Sequence, residues 1–367
     1  MTRVGILGGG QLCRMLALAG YPLGLHVRAF DPTEHSCCDG LLDRHRGDYG
    51  DRAALERFVR DLDVVTYEFE NVPADCITIL EQHVPVYPPR AALHTAQERL
   101  REKRFFAGLD IPTAPFAAVD SRPDLDAAVA EIGLPAVLKT RRFGYDGKGQ
   151  ALLKTPADLD VAWAELGAVP LILEGFVSFD RELSVVAARS RSGELAVYPL
   201  VENHHRDGIL RRTLAPAPGI SPALANAAED YARRVLEALD YVGVLAIELF
   251  QKGEILLANE MAPRVHNSGH WSIDGAVTSQ FENHLRAILG LPLGDTRPVG
   301  HSVMVNLIGG RPDRSALLAV PGLHLHDYDK APRPGRKIGH VTVCGTERWQ
   351  VNAALEQVGQ LISEHEA

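Results

Sequence analysis

The chain lacks the cysteine pattern of a disulfide scaffold or a zinc ribbon. Its 367 residues include five cysteines, an odd number, and no two of them have CxxC spacing. Such isolated thiols are typical of a reducing cytoplasm. The sequence also lacks an apolar run of about 18 residues that would span a membrane, and its N-terminus has no apolar stretch of the signal-peptide kind. We therefore expect a cytoplasmic protein.

A surplus of basic residues is missing as well. The chain has 38 lysines and arginines against 47 aspartates and glutamates, so its formal net charge is −9. Nucleic acids attract basic surfaces, and we expect neither a nucleic acid nor a membrane as partner. A local cluster of arginine and lysine would still bind an anionic small molecule. With 46% hydrophobic and 23% charged residues, the chain has the composition of a globular protein of two or three domains.

Strand and helix patterns alternate in the first 90 residues. This order predicts a parallel sheet with crossover helices, a Rossmann-like domain. The predicted elements are strands at Arg3–Leu7, Leu25–Phe30 and Val64–Tyr67, with helices at Gln11–Ala19 and Asp51–Val59. A helix-favouring stretch at residues 91–111 follows. From Pro112 onward, short strands with intervening helices predict an α+β region of mostly antiparallel sheet, and residues 296–367 form a smaller last section.

The first glycine cluster follows the first predicted strand and opens a helix. Gly8, Gly9 and Gly10 would begin a dinucleotide fingerprint, but Cys13 stands where its third glycine belongs. Asp31 ends the second predicted strand, where a ribose-binding acid would lie. The missing glycine favours a tight turn whose helix N-terminus binds an anion over a nicotinamide site.

A second glycine-rich loop joins two predicted strands between Lys139 and Gln150. It contains Gly144, Gly147 and Lys148, so that backbone N–H groups and cationic side chains can meet a polyphosphate. It is not a Walker A loop, because Gly149 follows Lys148 and because the loop does not feed a helix. The alternative is a solvated basic turn.

Two glutamates lie on neighbouring strands of a predicted hairpin. A carboxylate within an apolar strand is costly unless it is paired or bound to a metal. Glu248 and Glu260 therefore suggest a Mg²⁺ site that bridges phosphates. A two-residue turn would place them on opposite faces, whereas a three-residue loop at 252–254 would pair Glu248 with Ala258 and leave Glu260 diagonal on the same face. The metal site thus requires an odd-length loop or a bulge; otherwise Glu248 faces solvent.

A run of polar residues follows this hairpin. Within it, Arg264 could hold negative charge that develops on a transferred group, while His266 taken alone is as well explained by a structural role. Further on, a Pro-rich basic stretch at 329–337 can bind a phosphate monoester or can simply be solvated.

These residues resemble the ATP-grasp enzymes, and among them the 5-(carboxyamino)imidazole ribonucleotide synthetases. One departure is Cys13, where the family usually has glycine. The matching stretches are Gly8–Leu12, Thr66–Val72, Arg142–Gln150, Glu174–Val177, Asp207–Leu210, Asn259–Trp271, Gln280–Glu282 and Arg333–His340.

The resemblance implies an ATP-grasp fold in three units. Residues 1–95 would be a Rossmann-like, pre-ATP-grasp domain, residues 96–295 the ATP-grasp domain with a mobile lid at about 113–173, and residues 296–367 a small C-terminal domain. It also implies a homodimer. The activity would be the ATP- and bicarbonate-dependent carboxylation of 5-aminoimidazole ribonucleotide through carboxyphosphate, a step of purine biosynthesis.

The family motifs also imply site residues. Glu248 and Glu260 would hold Mg²⁺, or Mn²⁺ in its place. The catalytic residues would be Asp146, Arg264 and Lys148. Residues expected at ATP are Arg99, Lys139, Gly144, Gly147, Lys148, Gln150, Glu174, Val177, Glu182, His205 and Asn259. Residues expected at the ribonucleotide are Gly10, Gln11, Tyr145, Asp146, Arg264, His266, Ser268, Lys330 and Arg336.

Three other functions compete with this one. Another ATP-grasp ligase, such as a formate-dependent transformylase or a biotin carboxylase, would share the loop and the paired glutamates. A nicotinamide dehydrogenase would explain only the first glycine cluster. A nucleotide sensor without activity would leave the full set of metal carboxylates and phosphate-binding lysines unexplained.

Overall fold

A computed structural model of the protein describes residues 2–144 and 148–363. The first domain is built on a four-stranded parallel sheet with the strand order β3–β2–β1–β4. Its elements are β1 (Arg3–Leu7), α1 (Gln11–Gly20), β2 (His26–Asp31), β3 (Asp43–Arg46), α2 (Arg52–Phe58), β4 (Val64–Tyr67) and α3 (Ala74–Glu81). The predicted parallel sheet is confirmed. Strand β3 escaped prediction because its sequence, DRHR, has no apolar residue.

Two helices connect this domain to the rest, α4 (Arg90–Ala96) and α5 (Arg99–Gly108). A smaller antiparallel sheet of order β5–β8–β6–β7 follows, and we name it the lid sheet. It carries two helices and has its own apolar core. Its elements are β5 (Phe116–Val119), α6 (Arg122–Ile132), β6 (Ala136–Thr140), β7 (Gln150–Leu153), α7 (Asp158–Leu166) and β8 (Leu171–Gly175).

The remaining strands form one large antiparallel sheet of order β14–β13–β9–β11–β12–β15–β17–β16, with β10 beside β9. Its strands are β9 (Arg181–Arg189), β10 (Leu195–Val197), β11 (Val201–Arg206), β12 (Ile209–Ala215), β13 (Gly243–Lys252), β14 (Ile255–Ala262), β15 (His301–Ile308), β16 (Leu323–Asp327) and β17 (Lys337–Gly345). The helices of this region are α8 (Pro222–Ala238), α9 (Ser272–Gly275), α10 (Gln280–Leu289), α11 (Arg314–Leu318) and α12 (Arg348–Ser363).

This sheet runs through the predicted boundary at residue 296, because β15 is hydrogen-bonded to β12. The last section nevertheless has its own core, in which α11 and α12 cover β15 and β17. The largest core joins the first domain to the large sheet, with α1 packed near α10. The cleft at this junction therefore has walls from all three parts of the chain.

The start of α8 shows how local sequence sets an element. Ser221 caps the helix by accepting a hydrogen bond from the N–H of Leu224 at 3.3 Å, and Pro222 occupies the first helical position. Among the helices in the described ranges, none has the length and apolarity needed to cross a membrane.

Candidate active site

Two cavities lie in the cleft and share one wall. The first, which we name the lid cavity, has a volume of about 330 Å³ and extends between the lid sheet and the large sheet. The second, the inner cavity, has a volume of about 420 Å³ and extends from the large sheet to α1 and the end of β4. Four residues line both cavities: His205, Gly208, Glu248 and Glu260.

The hairpin of β13 and β14 brings the two shared glutamates together. Its turn has two residues, since Lys252 pairs with Ile255, so the three-residue loop and the pairing of Glu248 with Ala258 were wrong. Instead, a β-bulge leaves Asn259 without a partner on β13 and sets Glu248 directly opposite Glu260. Both side chains therefore lie on one face of the sheet. A bulge was one of the two conditions under which the sequence allowed a shared metal site.

Glu248 and Glu260 have different electrostatic surroundings. Burial and the neighbouring Glu260 carboxylate raise the pKa of Glu248. Burial acts in the same direction on Glu260, but Arg99, with Nη1 at 2.9 Å from Glu260 Oε2, outweighs it and holds the pKa of Glu260 below its usual value. Two adjacent carboxylates repel each other, and a bound divalent cation would relieve that repulsion.

The donor set fits Mg²⁺ only together with a bound substrate. Within the described ranges, no group of three or more His, Cys, Asp or Glu side chains is arranged to hold a metal ion. Mg²⁺ commonly takes one or two carboxylates and completes its shell with water and phosphate oxygens. The paired glutamates, open to both cavities, match that mode of binding.

The lid cavity is lined by nearly all the residues predicted at ATP. It includes Arg99, Lys139, Lys148, Gln150, Glu174, Val177, Glu182, His205 and Asn259. Gly144 lies instead on the inner cavity. Gly147, Tyr145 and Asp146 lie outside the described residues, so the structure does not test their predicted roles.

Ion pairs organise the lid cavity. Glu174 Oε2 lies 3.0 Å from Lys139 Nζ and 3.3 Å from Lys103 Nζ. Burial raises the pKa of Glu174, but the two lysines outweigh burial and keep that pKa below its usual value. Among the described residues, two buried acceptors of this cavity have no hydrogen-bond partner, Glu174 Oε1 and Asn259 Oδ1. Unpartnered buried acceptors in a cavity wall are available to a ligand's donors.

At the shared wall, Glu182 contacts Nδ1 of His205. Burial lowers the pKa of His205, but the hydrogen bond to Glu182 outweighs it, and the net shift is upward. The Phe179 and Phe250 rings stack at 4.6 Å beside this pair and line the same cavity.

The inner cavity contains Gln11, Arg264 and His266 from the predicted ribonucleotide site. Arg264 pairs with Glu70 through its Nε. Burial, with a smaller effect of Arg264, lowers the pKa of His266 to about 3. The imidazole is therefore neutral at pH 7. Ser268 donates its N–H to His266 Nδ1 at 3.3 Å, which leaves the proton on Nε2, 3.3 Å from Glu248 Oε1.

Four further described residues of the predicted ribonucleotide site do not line this cavity: Gly10, Ser268, Lys330 and Arg336. Ser268 is fully buried behind His266, and Gly10 donates its N–H to Glu68. Lys330 reaches the site by contacting Gln11 Oε1. Arg336 instead donates to the carbonyl of Ala331 at 3.2 Å.

The first glycine turn binds an anion from the chain itself. Glu68 accepts hydrogen bonds from the N–H groups of Gly10, of Leu12 at 3.1 Å and of Cys13 at 3.0 Å, at the N-terminus of α1. A Cβ at Gly10 would collide with this carboxylate. Asp31 Oδ2 accepts from Gly9 at 2.9 Å. Asp31, the acid that a dinucleotide site would use to bind ribose, thus helps to build the turn.

Several lining residues were missed by the sequence analysis. Lys337 was noted only as part of the basic stretch, and Glu70 only as part of a family motif, yet both line the inner cavity. Glu102 and Lys103 are buried and hydrogen-bonded to the backbone of β14. Their signal was helical spacing, since Arg99, Glu102, Lys103 and Phe106 lie on one face of α5. A charged face that ends in a buried phenylalanine indicates a helix packed on polar groups.

Similarity to known proteins covers the chain from end to end. Three domain models match it: the ribonucleotide synthetase preATP-grasp domain at residues 1–97, the ATP-grasp domain at 104–281, and the phosphoribosylaminoimidazole carboxylase C-terminal domain at 302–354. The N5-carboxyaminoimidazole ribonucleotide synthase of Pseudomonas aeruginosa is 54% identical over 98% of this chain and 99% of its own length. That of Vibrio cholerae is 42% identical over 99% and 96%.

Solved structures agree with these matches. The crystal structure of N5-carboxyaminoimidazole ribonucleotide synthetase from Thermus thermophilus has a TM-score of 0.95, with 57% identity, over 98% of each chain. The Aspergillus clavatus enzyme in complex with ADP and 5-aminoimidazole ribonucleotide has a TM-score of 0.91, with 30% identity, over 99% of each chain.

Proposed function

The chain belongs to the N5-carboxyaminoimidazole ribonucleotide synthase family of ATP-grasp ligases, and we propose that it carboxylates 5-aminoimidazole ribonucleotide with ATP and bicarbonate. The observation that carries this proposal is the shared wall of the two cavities at Glu248 and Glu260. ATP in the lid cavity would place its phosphates at that wall. The ribonucleotide in the inner cavity would reach the same wall from the other side.

The lid cavity supplies the groups that ATP needs. Lys139 and Lys148 would bind the phosphates, and Arg99 would act beside them. Lys139 now pairs with Glu174, so nucleotide binding would exchange this contact for a phosphate contact. Glu174 Oε1 and Asn259 Oδ1, which have no partner in the described part of the chain, would accept hydrogen bonds from the nucleoside.

We assign Glu248 and Glu260 as the residues that would hold Mg²⁺, or Mn²⁺ in its place. Their direct opposition across the hairpin supports this assignment. When bound, the ion would neutralise charge on the phosphate oxygens. The chain's own part is to present two oxygen ligands on one face, and to keep Glu260 charged through Arg99.

The reaction requires an activated carboxyl donor. Bicarbonate is a poor electrophile, and its phosphorylation by ATP would form carboxyphosphate and ADP. The exocyclic amine would then attack the carboxyphosphate carbon, with inorganic phosphate as the leaving group. Arg264 would hold the bicarbonate, since its guanidinium lines the inner cavity close to the shared wall. Lys148 would bind the transferred phosphoryl group. Asp146, which lies outside the described residues, would orient the amine or accept its proton.

Neighbouring groups would hold the ribonucleotide in place. Neutral His266 keeps its Nε2–H directed at Glu248, so it acts as a donor and not as a cation. Gln11 and Lys330 are already in contact. Gln11 lines the inner cavity, and this polar residue with the Lys330 ammonium in contact with it would suit the ribose phosphate.

An ADP-release assay tests the activity. We expect ADP release to require both bicarbonate and 5-aminoimidazole ribonucleotide. Release that depends on formate would favour a transformylase instead. No release under any combination of these substrates would contradict the proposal and favour a nucleotide sensor.

Two broader assignments concern the location and the assembly of the protein. All five cysteines are free thiols, which supports a cytoplasmic location. A homodimer is the state that the family resemblance implies. Light scattering on the purified protein would give twice the chain mass of 40.0 kDa if the dimer is right, and the chain mass if it is wrong.

A further inference from the structure

Helix α5 lies along the outer edge of β14, beside the candidate metal ligands. Strand β14 ends the large sheet, so one side of its backbone has no neighbouring strand in that sheet. Such an edge exposes N–H and C=O groups that need partners when they are buried. Residues of one face of α5 supply those partners here.

The two contacts flank Glu260. Glu102 Oε1 accepts a hydrogen bond from the N–H of Met261 at 2.7 Å, and Lys103 Nζ donates to the carbonyl of Asn259 at 2.7 Å. Both helix residues are buried, with exposures of 2% and 1%. The backbone on either side of Glu260 is therefore fixed by side chains from outside the sheet.

The spacing of the β14 backbone N–H groups that point away from β13 reveals the bulge. The N–H of Ala258 points outward to the carbonyl of Pro112 at 2.7 Å, and the next outward N–H with a partner is that of Met261. In a regular strand, outward N–H groups recur at every second residue. A spacing of three means that one extra residue, Asn259, has been inserted.

The bulge decides where Glu260 points. Near the turn, Leu249 pairs with Ala258. If this register continued without a bulge, Ile247 would pair with Glu260. A shift of one residue turns a side chain to the opposite face of the sheet. Glu260 would then lie across the sheet from Glu248, and the two cavities would lose their shared carboxylate pair.

We propose that Glu102 and Lys103 are positioning residues that hold the bulge at Asn259 and thereby keep Glu260 beside Glu248. This inference rests on the proposed metal role of the two glutamates. Glu102 is the better residue to test, because Lys103 also pairs with Glu174. Replacement of Lys103 would disturb the lid cavity directly.

The test compares Glu102→Leu with Glu102→Gln. Leucine removes the acceptor for the Met261 N–H at similar volume, whereas the amide oxygen of glutamine retains it. The measurement is Mn²⁺ affinity in the presence of ADP, by electron paramagnetic resonance. We expect about 10- to 100-fold weaker Mn²⁺ binding in Glu102→Leu, the range found when a group that supports a metal ligand is lost. Glu102→Gln should remain within a few-fold of wild type.

The outcomes separate this inference from the proposed function. A wild-type protein that binds no Mn²⁺ would contradict the metal role of Glu248 and Glu260. If wild type binds Mn²⁺ and a folded Glu102→Leu variant binds it equally well, Glu102 does not position the site. Equal losses in both variants would also overturn the proposal, because the retained acceptor would then make no difference.

A second measurement needs no variant that might fail to fold. Amide hydrogen exchange of the wild-type protein reports directly on the Met261 N–H. We expect slow exchange, like that of amides paired within the sheet. Exchange at the rate of an unprotected amide would show that Glu102 does not hold this part of the strand.

Discussion

At the scale of single residues, the site works through buried charges that are paired unequally. Arg264 lies against Glu70, and Arg99 against Glu260. Each arginine keeps a nearby carboxylate ionised although burial acts in the other direction. Glu248 has no arginine within ion-pair distance among the described residues and has a raised pKa. The pair therefore presents one firmly ionised carboxylate and one that a bound cation would have to draw into the charged form.

Arg264 offers a residue-scale prediction. Arg264→Met should lower kcat by about 10²- to 10³-fold, as expected when a donor that stabilises developing charge is removed. It should also destabilise the fold by about 1–3 kcal/mol, because Glu70 loses its partner in a partly buried site. Steady-state kinetics and urea unfolding measure the two effects.

The double variant Arg264→Met/Glu70→Gln separates them. Glutamine removes the unpaired charge, so stability should recover while kcat stays low. If activity recovers together with stability, Arg264 serves only the fold, and its assignment to bicarbonate is wrong.

At the scale of elements, helix termini and strand edges are satisfied by side chains from distant parts of the chain. Glu68, at the end of β4, fills the N-terminus of α1. Helix α5 likewise covers the edge of β14. In both cases an ionisable side chain takes the place that a ligand or a neighbouring strand would occupy.

The contact of α5 with β14 predicts a pH dependence of stability. Burial and the nearby Glu260 raise the pKa of Glu102 to about 8, whereas an unfolded glutamate titrates near its usual value of 4.5. Between these pH values the folded state holds a proton that the unfolded state has lost. The stabilisation is therefore full below pH about 4.5 and is lost as the pH rises towards about 8, with a slope of up to about 1.4 kcal/mol per pH unit for one group.

Glutamine mimics the protonated acid and does not titrate. The free energy of unfolding of Glu102→Gln, measured in urea from pH 5 to pH 9, should fall less with rising pH than that of wild type. Parallel curves for the two proteins would mean that Glu102 does not titrate in this range.

At the scale of the whole molecule, we propose that function depends on closure of the lid sheet over the large sheet. The lid has its own core and meets the rest of the chain at the lid cavity. Closure would exclude water from carboxyphosphate, which decomposes quickly. Lys139 and Gln150 pair at the open end of β6 and β7, where nucleotide phosphates would contact the lid.

Hydrogen exchange with mass spectrometry tests this closure. We expect ATP with Mg²⁺ to slow exchange in residues 113–173, because phosphate contacts would tie β6 and β7 to the large sheet. The ribonucleotide alone should leave the lid unchanged. Equal protection by either ligand, or protection confined to the first domain, would contradict a nucleotide-closed lid.

Local patterns in the sequence predicted much of the fold. Alternating strands and helices determined the parallel first domain, and Ser221 with Pro222 determined the start of α8. The motifs also selected most residues of the lid cavity. These features depend on neighbours along the chain, so the chain itself carries their signal. Strand β3 shows the limit, because an all-polar strand has no local pattern.

The contacts between residues distant in sequence were decided by the tertiary structure alone. A shared site for Glu248 and Glu260 required an odd-length loop or a bulge, and the folded chain has the bulge. The residues that contact the backbone at the bulge, Glu102 and Lys103, precede Asn259 by more than 150 residues. Likewise, the helix end predicted to bind a ligand anion received Glu68. Strand register and side-chain burial arise from packing between elements. Their energies depend on residues that are distant in sequence, which no local pattern identifies.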